Sequence, residues 1–398
     1  MMERQKVIMA CHLDDSLGQA ISLCGPDRLF ILTDDTTRRQ CLPVVEHLEC
    51  MKGAEVITIP SGDKQKSLES VCHVWSELQR LGATRHSMMV NLGGGMVTDL
   101  GGFAASTFKR GIHFVNIPTT LLAMVDASVG GKTGFNYGGL KNEIGVFANA
   151  DCVLLDTTFL RTLDRENILS GYAEMLKHGL ISDQAHWAEL LKLDPQAIKD
   201  PQSLQHLQAL LARSVAIKQR IVEEDPTEKG LRKALNLGHT IGHAFEAMSL
   251  SRSLSSLHLQ PSTLHPSLSS LHLQPSTLHL QPSTLNPQPS TLHQNPLLHG
   301  YAVAYGLACE LYLSVVKAGF PTDKMRQTVA YINEHYGRMA ISCDDYPALL
   351  ELMTHDKKNT AGVINFTLLG DIGDIRIDQT ATVAEITEAL DFYRDGSC

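Results

Sequence analysis

Two histidines four residues apart, His239 and His243 in the stretch ALNLGHTIGHAFEAM, share one face of any helix that carries them. Imidazoles at this spacing can clamp zinc, as in HExxH helices, yet HTIGH lacks the glutamate beside the first histidine. A catalytic zinc needs three protein ligands and one open position. The pair plus a nearby acid would serve. So would one histidine of the pair, Glu174 of SGYAEMLKHGLI, and a residue from further along the chain. NPLLHGYAVAYGL offers His299 at the start of a helical run, and spacing alone does not choose between His243 and His299.

Other polar groups recur around this pair. Arg232, Asn236, His239, His243 and Glu246 follow at intervals of four, three, four and three, predicting one polar helical stripe. Leu235, Ile241, Phe245 and Met248 cover the other side. Glu174, Lys177 and His178 are also helical neighbours, readable as a surface Glu–Lys pair or as part of a site. IPTTLLAMVDASVGGKTGFNYGGLKNEIG packs Asp126, Lys132, Lys141 and Asn142 into glycine-punctuated chain that cannot all be helical. One lysine there reads as solvated; the constellation reads as an anion site. VNLGGGMVTDLGGFAAS has the form strand, glycines, helix, which suits a pyrophosphate at a helix N-terminus but is not the GxGxxG fingerprint. A plain tight turn explains it equally well, and Asp99 there is either a helix-start acid or a ribose contact.

These groups need a scaffold. DRLFILTDD, AEVITIP, HSMMVNLGGG, GIHFVNIPTT and ADCVLLD read as buried strands, separated by helical patterns such as SLESVCHVWSELQRLG. Alternation of this kind predicts an α/β layer with a mostly parallel sheet. From about residue 165 long helices take over, with a late strand pair in GVINFTLLGDIGDIRI. The expected architecture is α/β plus all-α: a Rossmann-like nucleotide-binding domain over 1–163, and a mainly helical metal-binding domain over 164–398. The second is interrupted at about 251–296.

That interruption repeats every seven residues from Leu257: LHLQPST, LHPSLSS, LHLQPST, LHLQPST, LNPQPST. It holds seven of the sixteen prolines, and no Asp, Glu, Lys or Arg occurs from Ser253 to Cys309. A proline in every unit excludes a coiled coil despite the period. The segment reads as an expanded tandem repeat looped out of a pre-existing fold, without stable structure of its own. His258, His265, His272, His279 and His293 recur because the unit recurs, so they are not read as ligands.

Bulk properties narrow the classes. The 398 residues are 43% hydrophobic and 19% charged, ordinary for a globular protein. A net charge of −9 argues against nucleic acid or an anionic membrane as a general partner. Nine cysteines without a CxxC pair fit reduced thiols. The N-terminal apolar run is too short for a signal peptide, and no stretch reaches the length of a membrane span. A cytoplasmic protein is expected.

GGGMVTDLGGFAAS, IPTTLLAMVDASVGGKTGFN, KNEIG, GYAEMLKHGL, LRKALNLGHTIGHAFE, LLHGYAVAYGL and HDKKN, in this order, resemble the 3-dehydroquinate synthases over nearly the whole chain outside the repeat. The resemblance implies an NAD-binding domain joined to a helical domain, with the site in the cleft between. It implies conversion of 3-deoxy-D-arabino-heptulosonate 7-phosphate to 3-dehydroquinate and phosphate. The route is transient oxidation by NAD, phosphate elimination, re-reduction and intramolecular aldol closure. It assigns the metal, Zn2+ or alternatively Co2+, to Glu174, His239 and His299, leaving His243 to face substrate. By motif match, Arg110, Lys132, Asn142, Lys177, Asn236, His243 and Lys357 contact substrate, chiefly its phosphate, and Lys218 and Arg232 hold its carboxylate. Asp126 and Lys141 fall between cofactor and substrate. For NAD the matches are Asp34, Asp63, Lys66, Gly94, Gly95, Asp99, Thr119, Thr120, Lys132, Lys141, Phe159 and Thr162. Asp63 stands where the family commonly has Glu, and Tyr301 where many members have Glu. Arg110 is expected to reach the other subunit's site, so a homodimer is implied.

Three other readings stay open on sequence. A related sugar phosphate cyclase would use much the same residues. A metal-dependent polyol dehydrogenase would not need Lys132, Lys141, Lys177, Lys218 and Lys357 together. A folded but inactive homologue would require the repeat to intrude on the cleft or drive aggregation. Loop entropy alone is a weak obstacle, at about 0.6 kcal/mol per doubling of length.

Overall fold

The computed structural model describes residues 5–10, 12–138, 140–195, 198, 201–258, 296–354 and 363–396. Six strands build the N-terminal layer: β1 (Val7–Met9), β2 (Leu29–Asp34), β3 (Glu55–Ile59), β4 (Met88–Gly93), β5 (His113–Pro118) and β8 (Cys152–Leu155). All pair in parallel, in the order β1-β8-β5-β4-β2-β3. Met88, Met89, Val90 and Leu92 are fully buried, as are Phe30 and Leu32. Continuous apolar runs are what a parallel sheet covered on both faces requires. The five strands expected from sequence are present; β1, only three residues long, was not among them.

β3 lies on one side of β2 and β4 on the other. Where strand order reverses in this way, a crevice opens at the carboxyl ends of the strands. Asp34 ends β2 there, and Gly93 to Gly95 link β4 to helix α5 (Gly95–Thr107). The glycine-punctuated stretch forms an antiparallel hairpin, β6 (Lys132–Tyr137) with β7 (Leu140–Phe147), preceded by a π-helical turn over Ala123–Ala127.

The chain then becomes helical: α6 (Arg165–Leu180), α7 (Gln184–Lys192), α8 (Pro201–Glu224), α9 (His239–His258) and α10 (His299–Ala318). α11 (Thr322–Tyr336) and α12 (Tyr346–Thr354) follow. The late strand pair is the antiparallel hairpin β9 (Asn365–Asp371) and β10 (Asp374–Thr380), before α13 (Val383–Asp395). Every residue of α6 from Ile168 to Leu180 is buried. The apolar demand of the core therefore carries Glu174, Lys177 and His178 inside, where an isolated charge is expensive. The surface-pair reading of these residues fails for that reason.

Two other expectations are corrected. The polar stripe from Arg232 to Glu246 is not one helix: Leu231–Asn236 is a 3-10 turn, and Gly238 at φ +79° breaks the chain before α9. The interruption set at 251 also begins late, because α9 continues through His258. The remaining repeat, with His265, His272, His279 and His293, lies outside the described residues.

α9 and α10 approach so closely that side chains are excluded between them. A Cβ on Gly306 would lie 1.9 Å from the Gly238 carbonyl oxygen, and one on Gly242 2.8 Å from that of Ala302. The two helices run antiparallel, with Gly238 against Gly306 and Glu246 against His299, and across this close contact the rings of His239 and His299 stand 5.4 Å apart.

Candidate active site

Glu174 is the centre of the site and is fully buried. Its Oε1 lies 3.4 Å from His239 Nε2 and 3.5 Å from His299 Nε2, while Lys177 is in ion-pair contact with Oε2. No hydrogen bond of sound geometry reaches either Glu174 oxygen. Burial pushes the carboxyl up, but Lys177 and His239 outweigh it and hold it well below the usual carboxylate range. An ionised, buried carboxylate facing two imidazole nitrogens is the donor set of a divalent zinc-type cation.

The histidines are oriented from behind. His239 Nδ1 donates to the Leu237 carbonyl at 3.1 Å, and His299 Nδ1 to Glu246 Oε2 at 3.2 Å. A neutral ring that donates from Nδ1 keeps its Nε2 lone pair for a metal, and both Nε2 atoms face Glu174. His243 stands beside them, its ring 5.3 Å from that of His239 and 6.0 Å from that of His299. A second grouping of His243, Glu246 and His299 is also compact enough for a metal. It is the weaker choice, because both Glu246 oxygens are taken, by Lys141 at 2.7 Å and His299 Nδ1 at 3.2 Å, whereas Lys177 leaves Glu174 Oε1 to the two histidines.

The start of α9 is fixed by α10. Glu310, fully buried, accepts the backbone N–H of Gly238 at 2.6 Å and of Ile241 at 3.1 Å. These are leading amides that the helix itself cannot satisfy. Sequence reading passed over Glu310, although it is the first charged residue after the repeat.

The lysines do not form a bare anion site. Lys218 donates to Asp126 Oδ1 at 2.7 Å and to its carbonyl at 2.5 Å. Burial raises the Asp126 carboxyl, but Lys218 wins and keeps it below its ordinary value. Lys66 bridges Asp99 and Asn142, both at 2.5 Å. Burial lifts the Asp99 carboxyl above its ordinary value in spite of Lys66. Lys141 reaches Asp63 at 3.0 Å as well as Glu246. Lys132 pairs with Glu228, whose other oxygen takes the Asn236 amide at 3.1 Å. Glu228, at φ +61°, is a further group missed from sequence; its signal was an acid in the loop just before Arg232. Arg232, 3% exposed, donates to the carbonyls of Pro226 at 2.8 Å and Gly130 at 3.2 Å. His178 is fully buried, and burial, with the Lys177 charge adding, lowers it to about 3, so it stays neutral.

The nucleotide-side residues gather at the strand ends. Gly94 caps α5 without a side-chain acceptor, which leaves leading amides for an anion. A Cβ on Gly94 would lie 3.1 Å from Thr120 Cγ2, so Thr120 would have to give by a few tenths of an ångström. Thr119 and Thr120 follow β5, the former donating its N–H to the Gly93 carbonyl at 2.9 Å. Asp34 accepts from the amides of Thr36 and Thr37 at 2.9 and 2.8 Å, capping α2 (Asp35–Gln40). Phe159 is buried in the 3-10 turn Thr157–Thr162, and Thr162 donates back to its carbonyl at 3.2 Å. Arg110 is exposed at φ +71° and pairs with no acid among the described residues. Lys357 lies outside the described residues.

Comparison with known proteins follows this geometry. The family model for the 3-dehydroquinate synthase N-terminal region matches residues 56–170, and that for the C-terminal region matches 171–258 and 290–359. The 3-dehydroquinate synthase of Parabacteroides distasonis is 48% identical over 394 residues, 99% of this chain and 99% of that protein. Two solved structures share the fold. The 2-epi-5-epi-valiolone synthase of Streptomyces hygroscopicus subsp. jinggangensis, with NAD+ and Zn2+ bound, is 23% identical at a TM-score of 0.77, covering 100% of this chain and 98% of that one. A 2-deoxy-scyllo-inosose synthase complexed with carbaglucose-6-phosphate, NAD+ and Co2+ is 20% identical at 0.74, covering 98% and 96%.

Proposed function

This chain belongs to the 3-dehydroquinate synthase family, NAD- and metal-dependent carbon–oxygen lyases, and on that premise we propose how its own residues carry out the reaction. The substrate is a sugar phosphate, 3-deoxy-D-arabino-heptulosonate 7-phosphate, and the products are 3-dehydroquinate and phosphate. When bound, NAD+ supplies a reversible oxidation that acidifies the neighbouring C–H, and Zn2+ or Co2+ supplies Lewis acidity at the hydroxyl concerned.

The observation that carries the assignment is the convergence of His239 Nε2 and His299 Nε2 on the buried Glu174 carboxylate. These three hold the metal. Lys218 and Arg232 hold the substrate carboxylate, and Lys132, Asn142, Lys177 and Asn236 its phosphate, with Lys357 and the partner copy's equivalent of Arg110. His243, beside the ligands but not one of them, faces substrate and moves a proton. Lys132, Lys177 and Lys218 already have carboxylate partners, so substrate anions enter by exchange: Lys132 turns from Glu228 to the phosphate. Positioned cations of this kind lower the cost of elimination because they need little reorganisation. Gly94, Gly95, Thr119, Thr120 and Asp99 line the nucleotide site, with Lys66 and Lys141 at its substrate end and Asp34, Asp63, Phe159 and Thr162 around it.

We divide the chain at 163/164, in support of which the parallel sheet ends at Leu155 and the long helices begin at Arg165. A homodimer is the working assembly. Exposed Tyr137, Leu140, Val146 and Phe147 on the β6–β7 hairpin support a covered face there. A cytoplasmic location agrees with the free cysteines and with the lack, among described residues, of any helix long and apolar enough to cross a membrane.

The test is phosphate release from the heptulosonate phosphate by purified protein with NAD and zinc, against a chelated control. Zinc-dependent release with 3-dehydroquinate as product is the expected result. Folded, NAD-binding protein that releases none rejects the reading.

A further inference from the structure

Glu246 has no part in the scheme above, yet it occupies a position that the site needs filled. It sits on α9, three residues after His243, with its side chain 13% exposed. Oε2 accepts from His299 Nδ1 at 3.2 Å, and Oε1 accepts from Lys141 Nζ at 2.7 Å. Lys141 comes from β7, on the nucleotide-binding side, and also reaches Asp63 at 3.0 Å.

The two histidines facing Glu174 are held differently. His239 is fixed by a main-chain carbonyl two residues before it in sequence. His299 begins α10 and has no such local carbonyl; its Nδ1 is fixed by a side chain from another helix. A carboxylate can only accept, so a neutral His299 held by Glu246 carries its proton on Nδ1 and keeps the Nε2 lone pair for a metal ion beside Glu174. We propose that Glu246 is a positioning residue for the metal centre. It locks the tautomer and ring orientation of His299, and Lys141, donating to its other oxygen, holds Glu246 aimed. This rests on Glu174, His239 and His299 being the metal ligands. Its consequence is that the nucleotide-binding half and one metal ligand are joined by a continuous chain, Asp63–Lys141–Glu246–His299.

The experiment measures zinc affinity of the full-length protein by chelator competition, with zinc alone as probe, in wild type, His239→Ala, Glu246→Gln and Glu246→Ala. The melting temperature of each metal-free protein is recorded alongside. Wild type is expected to bind one zinc per chain and His239→Ala to lose it. Glu246→Ala should bind about 10–100-fold more weakly, the usual scale for a group behind a metal-bound histidine. Glu246→Gln should recover most of that affinity, because its amide oxygen still accepts from Nδ1. Bound Co2+ should show an altered visible spectrum in Glu246→Ala only. If Glu246→Ala binds zinc as wild type does, the positioning role is overturned and the ligand set stands. Weaker binding that tracks a lowered metal-free melting temperature, with no rescue by glutamine, also overturns it. Wild type without zinc, or His239→Ala with undiminished zinc, would reject the ligand set, and the positioning role with it.

Discussion

The backbone N–H of Leu297 donates to the Ser249 hydroxyl at 2.9 Å, across 48 positions of sequence. The chain thus returns from the repeat to the helix it left, and α10 begins two residues later with His299. The repeat leaves and re-enters at one end of the α9–α10 pair, and this hydrogen bond ties the entry to α10 back onto α9.

Replacing residues 259–295 by a Gly/Ser linker of about ten residues should therefore preserve zinc binding and phosphate release. Shortening a loop roughly fourfold gains about 1 kcal/mol by closure entropy. Melting temperature and phosphate release of the deletion variant check this. Loss of zinc on deletion would show that the repeat supports His299.

His243 and the proposed ligands should separate in their behaviour. Glu174→Gln, His239→Ala and His299→Ala are expected to weaken zinc binding by more than about 100-fold, beyond the effect of a supporting group. His243→Ala should keep its zinc and lose about 10²–10⁴-fold in turnover, the range for a lost proton-transfer group. Metal analysis after gel filtration, read beside kcat, distinguishes the two classes.

The α9–α10 contact should be intolerant of small changes far from substrate. Glu310→Ala leaves the amides of Gly238 and Ile241 buried without an acceptor, at about 1–3 kcal/mol. Gly306→Ala sets a methyl 1.9 Å from the Gly238 carbonyl and costs at least about 1–3 kcal/mol through overpacking. Both should lower the unfolding midpoint in urea, and both should weaken zinc binding by shifting His239 against His299.

Acid sensitivity should come in part from His186, which is fully buried and paired with the Ser214 hydroxyl at 2.8 Å. Burial, with the Arg213 charge adding, lowers its pKa to about 4 from an ordinary 6.5. The unfolded chain then binds the extra proton between these values. The contribution is whole above about pH 6.5 and lost as pH falls toward 4, about 3 kcal/mol in all. Melting temperature measured from pH 7.5 to 4.5 should fall. His186→Asn, which keeps a polar partner for Ser214 but cannot titrate, should flatten that fall.

Much of the fold was legible locally. β2, β4 and β5 are buried on both faces and so appear as unbroken apolar runs, and the amphipathic helix between β3 and β4 declares itself by its period. β1 escaped because three residues carry no period. The stripe from Arg232 to Glu246 misled because the 3-10 turn and α9 both place polar groups inward; only the left-handed Gly238 separates them. Glu228 and Glu310 escaped because their partners, Lys132 and the amides of Gly238 and Ile241, lie 96, 72 and 69 residues away.

By itself the sequence determined the parallel sheet, the change to helices near residue 165, the glycine turn after β4 and the family. Each is written in runs, periods and ordered motifs that need no distant partner to be read. Spacing left His243 and His299 open as company for Glu174, and only the tertiary structure shows both His239 Nε2 and His299 Nε2 beside its carboxylate. Helical spacing puts His243 beside His239, but the place of His299 depends on how α10 packs against α6 and α9, which Gly300, Gly242 and Gly306 allow by close backbone contact.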